Sequence, residues 1–288
     1  MRQAVLILAH GSRDAGARVE YQRIGQAIAE RLPEWPVEFS VLEFPAADLQ
    51  SIAEGVRRCA ERGAERLVAL PLFLFAAGHV REDLPGELER AAAEWPDLKL
   101  AYQPPLGVDR RLLDALEGRA ADVAAVLPDQ AGGPTGLLLI GAGTSDPDAN
   151  ADLYRAARLL WERRRFELVE VAFVSLTQPT VADGVQRIRA LGAKRIVAVP
   201  YFLNTGVLSR RIAARLESLR QADPELSIVL AAELGLHPEL LDLLAERAQR
   251  ALRATTVNGL ALPPCAVQDE AWACWSAGPS PRAEHAAK

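Results

Sequence analysis

The sequence predicts an α/β fold made of two tandem domains, each a parallel sheet flanked by helices. Short apolar runs without alternation predict strands that are buried on both faces, as in a parallel sheet. Segments with helical periodicity separate these runs in a βαβα order. Segments of the second half of the chain also repeat segments of the first, which indicates two copies of one domain.

The first strand is the apolar run over residues 5–9, which stops at His10 and turns through glycine, serine and a charged pair. Open α/β sheets keep their functional residues where a strand gives way to the next helix. The periodicity predicts the other elements of this half in the following order: a helix over 15–32, a strand over 37–43, a helix over 49–62, a strand over 66–74, a helix over about 85–95, a strand over 98–102 and a helix over 110–126.

The repeat is clearest in two pairs of segments. Residues 66–74 (RLVALPLFL) match residues 195–203 (RIVAVPYFL), and residues 106–116 match residues 234–244. Proline, glycine and polar residues between the copies have the composition of a linker, and the periodic pattern ends near residue 255. We therefore predict domains over residues 1–127 and 136–254, followed by a flexible tail over 255–288.

The composition and net charge of the chain argue against several classes of partner and site. The chain has 288 residues and a net charge of −5, which disfavours nucleic acid or an anionic membrane surface as the main partner. We find neither a long apolar run nor a signal peptide, and we expect a cytoplasmic protein. Cys59, Cys265 and Cys274 form no Cys-x-x-Cys pair, so they predict neither a disulfide framework nor a zinc site.

The two copies differ where function is expected. His10 corresponds to Ala142, and Glu43, at the end of the second strand, corresponds to Ser175. A second histidine, His79, follows the third strand and is also lost in the second copy. Three groups that can bind a metal or accept a proton therefore occur in the first copy alone.

These three groups should converge on one edge of the sheet. In a flavodoxin-like strand order 2-1-3-4, the first and third strands are neighbours, and a crevice opens at their carboxyl ends. Two imidazoles and a carboxylate suit Co²⁺, Fe²⁺ or Ni²⁺, and a neutral imidazole can also accept a proton. A histidine at a strand end is often structural, but two on one edge, both lost in the repeat, favour a functional site.

Other polar residues of this edge have competing interpretations. Ser12 could be a nucleophile beside His10, but no Gly-x-Ser-x-Gly elbow surrounds it, which favours substrate binding or capping of the loop. Arg13 and Arg81 could be solvated surface charges, or they could bind carboxylates of a substrate.

The segments LILAHGSRD, VLEF and PLFLFAAGHVREDLP resemble the class II chelatases of the sirohydrochlorin cobaltochelatase and ferrochelatase family. This resemblance implies a chelatase-like fold and the insertion of a divalent metal into a tetrapyrrole without ATP. It implies that His10 is a metal ligand and proton acceptor and that His79 is the second metal ligand. It also implies that the substrate pocket is lined by Glu43, Leu74, Phe75, Ala76, Ala77, Gly78 and His79.

We therefore expect a lyase in which His10 and Glu43 are catalytic and Ser12 and Arg13 help to bind sirohydrochlorin. Co²⁺ is favoured as the metal substrate because two-copy proteins resemble cobalamin-pathway members, and Fe²⁺ is next. We expect no tightly bound cofactor, and a monomer with two pseudo-symmetric halves. Cys265 and Cys274 do not match the cysteine-rich iron–sulfur tail of some members. The alternatives are a sirohydrochlorin ferrochelatase for siroheme biosynthesis, a non-catalytic metal or tetrapyrrole carrier and, more weakly, a serine hydrolase.

Overall fold

The computed structural model describes residues 2–76, 79–127 and 133–254, and for His79 the backbone alone. The predicted tail, with Cys265 and Cys274, lies outside the described residues. The elements are, in order, β1 (Gln3–Ala9), α1 (Ala15–Arg31), β2 (Val37–Val41), β3 (Gln50–Ser51), α2 (Ile52–Glu61), β4 (Arg66–Pro71), a π-helical turn (His79–Asp83), α3 (Leu84–Ala92), β5 (Lys99–Tyr102), α4 (Arg110–Ala124), β6 (Thr135–Gly141), α5 (Pro147–Glu162), β7 (Leu168–Phe173), α6 (Val181–Ala190), β8 (Arg195–Pro200), α7 (Val207–Ala222), β9 (Ser227–Leu230) and α8 (Pro238–Arg253).

The described strands form two parallel sheets, with the orders β3-β2-β1-β4-β5 and β7-β6-β8-β9. Apart from the short edge strand β3, both sheets have the predicted order 2-1-3-4. Each central strand is buried on both faces, because residues such as Ile7 and Leu139 pack into one core while Leu6 and Leu138 pack into others. The prediction of parallel sheets covered on both sides is confirmed.

The predicted boundaries differ from the observed ones at the ends of several elements. The second strand ends at Val41, although the N–H groups of Leu42 and Glu43 still donate to the carbonyls of Ala9 and His10 at the end of β1. Helix α2 begins at Ile52, because the Ser51 side chain accepts a hydrogen bond from the Glu54 N–H and caps it there. The helix expected near residue 85 is preceded by the π-helical turn.

The last helix of each half packs on the sheet of the other half. Helix α4 contacts β8 and β9 of the second sheet, whereas α8 contacts α1 and β4 of the first. The two helices also contact each other, so that one continuous hydrophobic core joins the inner faces of both sheets. Arg247 of α8 fixes this exchange by donating to the carbonyls of Pro105 and Leu106 at 2.8 and 2.7 Å.

Cys59 lies in the outer core of the first half, where burial raises the pKa of its thiol to about 12. None of the helices within residues 2–76, 79–127 and 133–254 is both long and apolar enough to span a membrane.

Candidate active site

The loop that follows β1 is shaped by a glycine. Gly11 has a φ of 99°, and a Cβ atom added to it would lie 1.9 Å from the carbonyl oxygen of Glu43. Only glycine fits this close approach. The Glu43 N–H in turn donates a 2.8 Å hydrogen bond to the His10 carbonyl. The ends of the first and second strands are therefore joined at the two predicted catalytic residues.

The structure brings the side chains of His10 and Glu43 together. The His10 Nε2 and Glu43 Oε1 atoms lie 4.0 Å apart, and the two side chains keep 39% and 40% of their surface exposed. The imidazole and the carboxylate are thus close enough to exchange a proton through a small rearrangement or one water molecule, and both remain open to a ligand.

Ser12 and Asp14 shape the start of α1. The Asp14 N–H donates to the Ser12 hydroxyl at 3.1 Å, and the Asp14 carboxylate caps the helix by accepting from the Ala17 N–H. In the second half, the Asp146 N–H donates to the Thr144 hydroxyl at the same distance. The half that lacks the histidine keeps the same hydrogen bond. The conserved geometry of the two halves therefore supports a capping role for the Ser12 hydroxyl rather than a nucleophilic one.

Arg13 stacks on an aromatic ring beside the site. Its guanidinium carbon lies 4.5 Å from the centre of the Phe44 ring. This cation–π contact holds the guanidinium beside the loop that follows β1, where it can bind a carboxylate.

The structure describes part of the segment after β4 that we predicted to line the substrate pocket. Phe75 contacts the buried ring of Tyr201 edge-on, with 5.5 Å between ring centres, and the Leu74 carbonyl accepts from the Gly107 N–H. Ala77, Gly78 and the His79 side chain lie outside the described residues. Among the side chains that are described, no three metal-binding groups cluster, and a His10–His79 metal site stays a prediction.

The second half repeats this backbone without its chemistry. Gly143 has a φ of 84°, and a Cβ atom on it would lie 1.9 Å from the Ser175 carbonyl oxygen. The Ser175 N–H and hydroxyl both donate to the Ala142 carbonyl at 3.0 Å. The predicted correspondence of His10 with Ala142 and of Glu43 with Ser175 is therefore confirmed.

Two bulky residues beside these loops were not predicted. Phe44 and Leu176 follow Glu43 and Ser175, and they have φ angles of 54° and 59°. This left-handed conformation is unfavourable for side chains with a Cβ atom, and it concentrates at functional sites. Leu176 is also 83% exposed, and Phe44 is 37% exposed. Neither feature has a signal in a single sequence.

The carboxyl edges of the two sheets face each other. Arg81, in the π-helical turn, lies 3.7 Å from the Asp146 carboxylate, and Arg210 of α7 lies 2.7 Å from the Asp14 carboxylate. The Thr205 N–H donates to the Glu20 carboxylate at 2.7 Å. These contacts connect the loops at the carboxyl edges of the two halves.

The sequence model of the CbiX family matches this chain twice, over residues 4–123 and 136–251. The chain belongs to the CbiX family. Each CbiX match contains one of the two sheets together with the helix that packs on the other sheet.

Curated relatives of this CbiX chain include enzymes for two metals. The sirohydrochlorin cobaltochelatase of Priestia megaterium is 34% identical over 254 residues, which are 87% of this chain and 80% of that protein. The sirohydrochlorin ferrochelatase of Bacillus subtilis (strain 168) is 27% identical and covers 90% of this chain and 94% of its own length.

A solved structure of SirB from Bacillus subtilis with Fe³⁺ matches with a TM-score of 0.75 at 27% identity. The match covers 87% of this CbiX chain and 96% of SirB, so it includes both halves. The predicted chelatase-like fold is confirmed.

Proposed function

We propose that this chain inserts a divalent metal into sirohydrochlorin without ATP, and that Co²⁺ is preferred to Fe²⁺. The observation that carries the proposal is the His10–Glu43 pair, which lies at the carboxyl edge of one sheet and is replaced by Ala142 and Ser175 in the other half. Membership in the CbiX family supports the substrate class. The higher identity to the cobaltochelatase, 34% against 27% for the ferrochelatase, supports cobalt.

The reaction requires a base and exchangeable metal ligands. A free-base tetrapyrrole releases two N–H protons as the metal ion takes their place, so one macrocycle and one M²⁺ give the metal complex and two H⁺. As the metal passes from His10 to the macrocycle, the freed His10 imidazole accepts the two protons one after the other, and the Glu43 carboxylate 4.0 Å away passes each of them to solvent. No step in this exchange needs the energy of ATP.

The other predicted site residues act on binding. His10 and His79 hold the incoming metal while it loses its water, because imidazole is a suitable and exchangeable ligand for Co²⁺ and Fe²⁺. Arg13 pairs with a carboxylate of the substrate, and Ser12 maintains the loop that presents His10. Leu74, Phe75, Ala76, Ala77 and Gly78 line the pocket, and the second half forms its opposite wall. We propose that one chain, without a resident cofactor, is the working unit.

The test is direct. Purified protein is mixed with sirohydrochlorin and either Co²⁺ or Fe²⁺, and the absorption change of the macrocycle is followed. We expect both metals to be inserted faster than in buffer, with Co²⁺ ahead. No acceleration with either metal would reject an enzyme, and stoichiometric binding without turnover in excess substrate would indicate a carrier. Faster insertion of Fe²⁺ would favour a ferrochelatase.

A further inference from the structure

The turn that begins at His79 is held by a tyrosine from another part of the chain. Tyr102 is the last residue of β5 and is fully buried, and its hydroxyl donates a 2.8 Å hydrogen bond to the Val80 carbonyl. Val80 follows His79 directly within the π-helical turn. The bond therefore ties this turn to the first sheet.

The sequence of the turn explains why it needs this donor. In the i→i+5 pattern of a π-helix, the Val80 carbonyl would accept from the N–H of residue 85. That residue is Pro85, which has no N–H. A buried carbonyl left without a donor destabilises the conformation that buries it. The Tyr102 hydroxyl supplies the donor that Pro85 lacks, and burial keeps its pKa above the ordinary value, so it stays protonated near neutral pH.

Residues 133–254, which the structure describes in the second half, contain neither a matching tyrosine hydroxyl nor a π-helical turn. Tyr102 is paired with Ala69 across the first sheet, and Leu230 is paired with Ala198 in the same register of the second. Leu230 therefore occupies the position of Tyr102. In that half, the segment after β8 enters the regular helix α7 at Val207. The hydroxyl and the π-helical turn thus occur together in the half that carries the histidine.

We propose that Tyr102 is a positioning residue for His79, fixing the backbone turn on which this predicted metal ligand stands. The loss of activity that we expect on removing the hydroxyl rests on the proposed function, whereas the effect of Tyr102 on the position of His79 can be tested without it.

The first experiment compares Tyr102→Phe with Tyr154→Phe, which removes an exposed hydroxyl from α5. We expect kcat/KM for Co²⁺ insertion to fall about 10- to 100-fold in the first variant, as for a misplaced ligand, and to stay unchanged in the control. In a His79→Ala background, Tyr102→Phe should have less than about a 2-fold effect, because its partner is gone. An equal loss in both backgrounds, or no loss at all, would overturn the proposal.

Restoring the missing donor gives a second test. Pro85→Ala supplies an N–H to the turn, so the pair Tyr102→Phe with Pro85→Ala should recover most of the activity lost by Tyr102→Phe alone. If Tyr102→Phe alone is too unstable to assay, the double variant is compared with the unchanged protein instead. A folded pair with no more activity than Tyr102→Phe would contradict the role assigned to this hydrogen bond.

A spectroscopic readout separates this inference from the proposed function. The chain has four histidines, and their imidazole resonances can be assigned by substitution. Tyr102→Phe should shift the His79 resonances and leave those of His237, at the start of α8, in place. This outcome would support the positioning role even if no metal insertion is found. Unchanged His79 resonances would overturn it, whatever the kinetics show.

Discussion

Gly11 and Gly143 place the same backbone loop in both halves of the molecule. In each loop a Cβ atom would collide with a carbonyl oxygen, of Glu43 in one half and of Ser175 in the other. The halves therefore share a loop conformation that depends on glycine and differ in the side chains that the loop carries. Differences in chemistry between the halves can then be tested by single substitutions that leave this backbone in place.

His10→Ala reproduces what the second half already has at Ala142. We expect kcat/KM to fall about 10²- to 10⁴-fold, because a positioned proton acceptor is lost, and metal binding to weaken as well. The matched variant Ala142→His should create no second site, because Ser175 offers no carboxylate beside it. Steady-state insertion kinetics, with folding checked by circular dichroism, measure both. Near-native turnover in a folded His10→Ala protein would refute the assignment.

The strained backbone conformation of Leu176 predicts that a substitution can make the protein more stable. Leu176→Gly removes an exposed apolar side chain from a left-handed backbone conformation, so we expect the free energy of unfolding to rise by about 1 kcal/mol. If the side chain contacts the macrocycle, KM for sirohydrochlorin should rise while kcat stays constant. Urea unfolding and steady-state kinetics measure the two effects. A more stable variant with unchanged KM would show that the strain has no role in substrate binding.

Single residues also show where prediction from sequence succeeds. His10 and Glu43 follow the ends of neighbouring strands, so the strand order alone predicted that they meet, and the structure places them 4.0 Å apart. The contact of Tyr102 with Val80 was not predicted, because a tyrosine hydroxyl carries no sign of which distant carbonyl it will meet. The conformation of Phe44 was missed for a similar reason, since glycine is the residue that usually marks such a position.

Among the elements, helix α1 connects the site to the second half through its cap. Asp14 caps α1 and pairs with Arg210 of α7. The Arg210 hydrogen bond, followed by that of the Ala17 N–H, holds the pKa of Asp14 below its ordinary value of 3.8. A carboxyl with a lowered pKa in the folded state stabilises the protein above its unfolded-state pKa, and this contribution is lost as the pH falls through the folded-state pKa.

Asp14→Asn tests this linkage, because asparagine caps a helix about as well as aspartate does but carries no charge. We expect the variant to be less stable than the parent at pH 7 and the difference to vanish as the pH falls below the folded-state pKa of Asp14. Urea unfolding across this range gives the difference directly. Arg210→Gln is the control and should show the same pH dependence. A deficit that persists in acid would mean that the variant disturbs the cap rather than the ion pair.

The elements themselves were predicted unevenly. The long helices and the central strands have strong periodicity, and α1 and α4 lie within about two residues of their predicted ends. The two-residue strand β3 and the π-helical turn were missed, because neither is long enough to show a period. The turn also depends on the contact with Tyr102, which is remote in sequence.

At the scale of the whole molecule, the exchange of α4 and α8 makes the two halves interdependent. The match of residues 234–244 with residues 106–116 predicted that the second copy repeats the first, but not that α8 packs on β4 and α1 of the other half. Periodicity identifies a buried face and says nothing of its partner. The sequence repeat is therefore not a self-contained packing unit, since each sheet needs a helix from the other repeat.

The exchange of α4 and α8 has a consequence for the half that carries His10 and Glu43. Helix α8 buries five leucines, which are Leu240, Leu241, Leu243, Leu244 and Leu252. At roughly 1.5–3 kcal/mol for each buried side chain, their contribution is comparable with the whole stability of a typical domain. Arg66 of β4 also donates to the carbonyls of Leu252 and Ala254, at 3.3 and 3.0 Å.

We therefore predict that in a chain ending at His237 the first half fails to fold as well as the second, although His10 and Glu43 are far from the deletion in sequence. A chain ending at Ala254 is the matched control, because it keeps α8 and the carbonyls that Arg66 binds, and it should retain folding and metal insertion. Circular dichroism, solubility and insertion assays on the two proteins decide the matter. If the chain ending at His237 kept a folded, active first half, α8 would be dispensable for the sheet it covers.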